Sequence, residues 1–189
     1  SAQTALLHIA EAFVRWIAPI LSFTAHEIWG HMPGGRSSSV FVAEWYPLQR
    51  LGDSEVVSKQ DWAIILQAKE AINKVIEDQR NLGNVKGSLE ADIQVFADAA
   101  LAESLAKLGD ELRFVTITSR ASLSGLDGSN GAEDSAMEGL KVALQRSAAD
   151  KCVRCWHFID DVGSNADHPE VCGRCISNIS GQAEARLYA

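Results

Sequence analysis

The sequence predicts a mostly α-helical chain that carries a small α+β part and ends in a compact cysteine-rich module. Three observations carry this expectation. Apolar residues recur at helical spacing through residues 3–78, a period-two alternation replaces them after Gly87, and all four cysteines fall in two Cys-x-x-Cys pairs within residues 152–175.

Residues 3–17 place Leu6, Ile9, Ala10, Phe13 and Ile17 on one stripe, the expected buried face of a first helix. Pro19 has no N–H to continue it, so a second helix is expected from Ile20 to about Gly30, burying Ile20, Phe23, Ile28 and Trp29 and halted by Met32-Pro33-Gly34-Gly35. Arg36 to Ser39 reads as a polar loop, and Val40 to Pro47 as a short extended segment. Trp62 to Asp78 returns to helical spacing with Trp62, Ile65, Leu66, Ala68, Ile72, Val75 and Ile76 expected to face inward, and Gly83 is its stop signal. Three such helices suggest a bundle over residues 1–86. Trp16, Trp29, Trp45 and Trp62 lie on apolar faces and are expected in its core.

From 87 the pattern predicts a small α+β unit extending to 148. Leu89, Ala91, Ile93 and Val95 alternate with polar residues as a half-buried strand, and Ala99 to Leu108 reads as a short helix. Leu112 to Thr118 reads as a second strand, residues 121–138 as an exposed loop rich in Ser, Gly and Asp, and Leu140 to Gln145 as a third strand.

The last part, residues 149–189, is too short and polar to hold an apolar core. Cys152-Val153-Arg154-Cys155 and Cys172-Gly173-Arg174-Cys175 are separated by sixteen residues, and each pair folds naturally into a turn with both sulfurs on one side. Two facing turns supply four thiolates, which fill a tetrahedral zinc shell and leave no open position, so one structural Zn2+ is expected rather than a catalytic one. The glycine at 173 is expected to let backbone N–H groups approach sulfur. His157 and His168 are expected to be bystanders or donors to the ligands. Two disulfides or a redox pair are the other uses of four cysteines, but nothing in the sequence looks secretory. Trp156 follows Cys155 on a knuckle too small to bury an indole, so it either packs on the neighbouring α+β unit or meets a ligand. Arg154 and Arg174 sit inside the knuckles and are expected to point away from the sulfurs.

The 189 residues carry a formal charge of −8, which argues against non-specific nucleic-acid binding driven by counterion release. The charge is uneven. Residues 1–140 hold 11 Lys and Arg against 19 Asp and Glu, whereas residues 141–189 hold 6 of each. A nucleic-acid contact is therefore expected near the cysteines, where Arg154 and Arg174 lie. Arg15 faces away from the first helical stripe and is a candidate phosphate contact. No apolar run reaches the length of a membrane span, about eighteen residues. No signal peptide is apparent, so a cytoplasmic protein without membrane attachment is expected. Because the chain starts at Ser1 and enters a helical pattern at once, it reads as a piece of a longer protein.

Three stretches resemble one family. Ala18-Pro19-Ile20-Leu21-Ser22-Phe23-Thr24-Ala25-His26-Glu27-Ile28-Trp29 resembles a helix start in the anticodon-binding domain of class Ia aminoacyl-tRNA synthetases. Gly83-Asn84-Val85-Lys86-Gly87-Ser88-Leu89-Glu90-Ala91 resembles a turn of the isoleucine-specific members, and the two cysteine pairs resemble the C-terminal zinc finger of their bacterial forms. The resemblance implies a helical anticodon-binding bundle (1–86), an α+β junction (87–148) and a four-cysteine zinc finger (149–189) with Cys152, Cys155, Cys172 and Cys175 as ligands. It further implies tRNA specific for isoleucine as partner, with Trp156, Arg154, Arg174 and Arg15 as contacts. The missing N-terminal catalytic and editing domains would use ATP to join isoleucine to its tRNA, and a monomer is expected. The HIGH and KMSKS motifs of that catalytic part are absent from these residues, as is any phosphate-binding G-x-x-x-x-G-K-[ST] loop, so this stretch is not expected to be catalytic alone. The competing expectation is a free-standing zinc-ribbon module for nucleic acid or protein, since a similar finger occurs in DNA-repair glycosylases.

Overall fold

A computed structural model describes residues 2–48, 52, 56–182, 184 and 186–188. The chain divides into two compact units, Ser1–Gly52 and Asp53–Ala189, and its architecture is mixed α+β.

The first unit contains α1 (Ala2–Ile17), α2 (Ser22–His31) and a 3-10 turn at Val40–Val42 where an extended segment was expected. Ser39 starts that turn by accepting the Phe41 N–H on its hydroxyl. Pro19 ends α1 as expected. Its buried cluster is Val14, Ala18, Ala25, Trp29 and Val40. The stripe expected to be buried is instead outside: Leu6, Ile9 and Phe13 are each more than half exposed, as are Ile20 and Phe23. Periodicity identifies an apolar face but not whether anything covers it. Trp29 is buried, but Trp16 and Trp45 are exposed, which corrects their expected place in the core. The rim of this unit is held by charge. Glu11 receives the guanidinium of Arg15 at 2.7 Å and that of Arg36, and both guanidiniums stack on Trp29, at 4.6 and 4.7 Å from its ring centre. The Arg36 hydrogen bond, aided by Arg15 and opposed by burial, lowers the Glu11 carboxyl to about 2.

The second unit is built on α3 (Lys59–Asn81) and a four-stranded sheet. Ser58 and Asp61 form a reciprocal capping box at the start of α3. Asp61 also accepts from Ser104 at 2.8 Å and from Lys107 at 2.7 Å, tying that helix start to α4 (Ala99–Ala106), and these donors hold its carboxyl well below the usual range. β1 (Ala91–Ala97) is the hub strand, pairing parallel with β2 (Arg120–Gly125) and antiparallel with β4 (Leu140–Arg146). The two-residue β3 (Glu133–Asp134) pairs with the far edge of β4. Ile65, Ala68, Ile72 and Val75 of α3 pack with Ile93 and Val95 of β1, Leu105 of α4, and Leu140 and Val142 of β4 in one apolar core. The third helix of the sequence pattern therefore packs on the sheet, with Trp62 partly buried against the core and Leu66, expected inside, half exposed on the side turned from it.

Two expectations are corrected here. Leu112 to Thr118 forms α5 (Leu112–Thr116), not a strand. The Thr116 hydroxyl bonds back to the Leu112 carbonyl at 3.0 Å, and Ile117 closes the helix in the left-handed region at φ 57°. Residues 121–138 are only partly loop, since they contain most of β2 and all of β3. Small side chains such as Ser122 and Ser124 carry no strand signal of their own. Their backbone is drafted by pairing with the buried β1. A short helix not anticipated, α6 (Gly173–Ile179), closes the chain's regular structure. Among the described residues, no helix is long and apolar enough to cross a membrane.

Candidate metal centre

Residues 151–158 form a small hairpin in which Lys151 and Phe158 pair, the Cys152 N–H donates to the His157 carbonyl at 2.9 Å, and the Trp156 N–H donates to the Cys152 carbonyl at 2.9 Å. This turn sets the sulfurs of Cys152 and Cys155 on one side. The second pair is shaped differently. Cys172 starts α6, with the Ile176 N–H donating to its carbonyl at 3.0 Å, and Cys175 lies in the first helical turn. The intervening loop returns to the first knuckle through the Val153 N–H, which reaches the Glu170 carbonyl at 3.1 Å.

All four sulfurs lie within 4.8 Å of one another, and Cys155 Sγ is 3.7 Å from Cys172 Sγ. A tetrahedral ion with zinc–sulfur bonds of about 2.3 Å requires sulfurs roughly 3.8 Å apart, whereas a disulfide requires about 2.05 Å. The four cysteines are free thiols and, apart from Cys155, fully enclosed. The donor set therefore fits one structural Zn2+, as the sequence predicted. His157 stays outside it, with Nδ1 at 3.2 Å from the Cys155 carbonyl oxygen and its ring edge-on to Phe114. His168 is exposed in the loop.

The charges around the sulfurs correct two expectations. Arg154 does not point away from them: its Nη1 sits 3.5 Å from Cys175 Sγ, which raises the guanidinium's own pKa. Burial opposes the charge of Arg174, but the Cys155 sulfur and the Glu184 carboxylate, 3.1 Å from Nη1, outweigh it. Thiolates attract the nearest cations whichever way the backbone turn aims them. Gly173 serves a different purpose from the one anticipated. Its N–H donates to Asp161 Oδ2 at 3.1 Å, and a Cβ there would come within 2.6 Å of that oxygen. Burial resists ionisation of Cys152, yet the backbone N–H groups of Cys155, Cys172 and Arg154 prevail and draw its thiol to about 6. At Cys172, burial prevails and pushes the thiol up to about 12.

Trp156 is presented outward. It has φ 66°, a conformation that costs a residue with a Cβ roughly 1–2 kcal/mol, and it is 60% exposed. The Lys151 ammonium lies 5.4 Å from its ring centre. Arg15 is held elsewhere, its Nε on the Glu44 carbonyl at 2.7 Å and its Nη1 on Glu11. Of the four residues named as contacts, Trp156, Arg154 and Arg174 share the cysteine module, and Arg15 belongs to the first unit.

Sequence reasoning missed the groups that dock the module on the sheet. Ser119 donates its hydroxyl proton to the Leu89 carbonyl and accepts the Phe158 N–H, both at 2.6 Å. Arg120 pairs with Asp160. The Glu111 carboxylate accepts the N–H groups of Leu187 and Tyr188 at 2.7 Å each, while the Arg186 guanidinium stacks on Phe114. Each is an ordinary polar residue whose role appears only once its distant partner is placed.

Residues 1–95 match the family model described as the anticodon-binding domain of tRNA ligase, and residues 149–178 match that of the zinc finger found in FPG and IleRS. All 189 residues align at 49% identity with the isoleucine–tRNA ligase of Saccharophagus degradans, and the chain spans 20% of that protein's length. Four sulfurs placed for a tetrahedral ion, a finger model over the same cysteines and a domain model over half the chain agree, and the chain belongs to the family of anticodon-binding domains of tRNA ligases.

Proposed function

We propose that this chain is the tRNA-recognition portion of an isoleucine–tRNA ligase, a longer cytoplasmic, monomeric enzyme whose other domains bind ATP, activate isoleucine and edit the product. The observation that carries this reading is the co-occurrence, in one chain and in this order, of the anticodon-binding stretch and the finger, over an alignment that spans all 189 residues. A free-standing zinc ribbon has no account of residues 1–95. Within the longer protein the chain reads as a helical anticodon-binding bundle (1–86), a junction (87–148) and the zinc finger (149–189). α3 serves two of these parts, since its sequence lies in the matched domain while its apolar face builds the core under the sheet.

Trp156 is the first contact. An exposed indole held in a strained backbone conformation beside a lysine suits an unstacked loop base, and such stacking is worth about 1–3 kcal/mol. Arg154, exposed on the same knuckle, supplies a cation to the RNA backbone. Arg174 and Arg15 are each largely covered and paired with a glutamate, so they act mainly by fixing the surfaces the RNA meets. The test is isoleucine tRNA affinity across a salt series for the wild type, Trp156→Ala and Arg154→Ala. Trp156→Ala is expected to weaken binding by about tenfold or more at every salt concentration, and Arg154→Ala to reduce the salt slope by about one unit. Two variants that match the wild type in both respects would remove the assignment.

A further inference from the structure

The stretch from Leu126 to Gly139 belongs neither to the metal centre nor to the surfaces assigned to RNA, and it holds the chain's single Asn-Gly pair, Asn130-Gly131. The side-chain carbonyl carbon of any asparagine lies within reach of the next residue's nitrogen, and attack by that nitrogen closes a cyclic imide. Three things restrain the attack: an acceptor holding the next N–H, a following side chain that screens it, and a partner for the asparagine amide itself.

The six asparagines differ in these respects. Asn73 and Asn81 lie in α3, where helical hydrogen bonding holds the next N–H; that of Leu82 donates to the Asp78 carbonyl at 3.0 Å. The Asn84 amide donates to Gln79 Oε1, Asn165 Oδ1 accepts the Asp167 N–H at 2.9 Å, and Asn178 Oδ1 accepts the Glu184 N–H at 3.4 Å. Each of these five is followed by a residue with a Cβ. Asn130 escapes all three restraints. It is exposed in a turn closed by the Ala132 N–H on the Ser129 carbonyl at 3.0 Å, and neither its amide nor the Gly131 N–H has a partner among the described residues. Gly131, at φ 81°, has no side chain to screen its nitrogen.

The turn leads straight into β3. Glu133 lies opposite Val142 and Asp134 opposite Lys141, whose ammonium is 3.0 Å from the Asp134 carboxylate. Glu133 also accepts from Gln79, so this short edge is clasped to α3.

We propose that Asn130 is a site of spontaneous deamidation, and that the isoaspartate formed there is a methylation site for an S-adenosylmethionine-dependent carboxyl methyltransferase. The Gly131 nitrogen bonds to Cγ of Asn130 as the bond from Cγ to the side-chain nitrogen breaks, and that nitrogen leaves as ammonia with the proton lost by Gly131. Water then opens the imide. Cleavage on the side-chain carbonyl gives aspartate, and cleavage between the main-chain carbonyl carbon and the Gly131 nitrogen gives isoaspartate, in which the chain runs through the former side chain. An oxygen of the freed main-chain carboxylate supplies the electron pair that takes the methyl group from the sulfonium, which departs as the thioether S-adenosylhomocysteine. No oxidant or reductant takes part. Isoaspartate adds a carbon to the main chain and a negative charge immediately before β3, so Glu133 and Asp134 lose their register on β4 and the clasp on α3 opens.

The test incubates the zinc-loaded chain at mildly alkaline pH, follows its mass, and presents it without denaturation to an isoaspartyl methyltransferase with labelled S-adenosylmethionine. The expected result is the mass gain of a single amide-to-acid conversion, assigned by fragmentation to residues 126–134, with label in the same peptide. Both are expected to be lost in Asn130→Gln, whose longer side chain disfavours the ring. Freshly prepared Asn130→Asp carries the added charge without the added carbon. Amide exchange at Asp134 and Lys141 is expected to accelerate more in the isoaspartyl chain than in this variant, while zinc content stays unchanged in both. Conversion first at another asparagine or at Asp127, equal conversion in Asn130→Gln, label taken up only after denaturation, or exchange at β3 unaltered by conversion overturns the proposal.

Discussion

The core beneath the sheet and the cysteine module solve one problem in opposite ways. The first joins residues from 57 to 142 through apolar side chains such as Ile72, Leu105 and Val142, each almost wholly enclosed. The second has only Cys152, Cys172 and Cys175 in its buried cluster, with Ile159, Val162 and Val171 partly covering them. Hydrophobic burial is non-directional and spread over many groups, so the first region tolerates loss by degrees. Metal coordination is concentrated in four bonds, so the second region is expected to hold or fail as a whole.

Metal removal gives the largest expected effect. Chelation, or Cys152→Ser, removes a binding free energy of roughly 10–16 kcal/mol for modules of this kind. Amide protection over 151–180 is expected to vanish, with elemental analysis reading less than one zinc per chain, while protection along α3 and β1 persists. Retained protection in metal-free protein would break the contrast. Next comes Ile72→Ala, at a fully enclosed position, which is expected to cost about 3 kcal/mol and lower the thermal midpoint of the second unit while the zinc content stays at one. A loss of metal in that variant would show that the two regions are one cooperative block.

The smallest effect belongs to the first unit, where charge supplements a slight core. The Glu11 carboxyl is depressed to about 2, so its contribution is complete above its ordinary value near 4.5 and disappears as pH falls toward 2. Amide exchange over residues 2–48 is expected to accelerate through that window by an amount equivalent to about 2 kcal/mol after solvent screening. Glu11→Gln is expected to flatten the dependence, and a wild-type unit with no acid sensitivity would remove Glu11 from the account.

The same contrast explains what could be read from the residues alone. The clustering of the four cysteines was legible because its chemistry is local, requiring only two residues between cysteines and no knowledge of the rest of the fold. α3, β1 and β4 were legible because a buried face imposes its period on the sequence. Phe114-Val115-Thr116-Ile117 misled because its residues favour strands, whereas its position after Leu112 and the back-bond of Thr116 make it helical. β2 was illegible because its order derives from β1 rather than from its own side chains. The stripe of Leu6, Ile9 and Phe13 was legible as a face and misassigned as a core.

Ser119 has one further consequence. Its hydroxyl stands in series between the first cysteine knuckle, through Phe158, and the segment leading into the hub strand, through Leu89. A displacement of that knuckle is therefore passed through two hydrogen bonds to the strand that pairs on both sides. The four sulfurs shape the finger, and an oxygen atom outside it fastens the finger to the sheet.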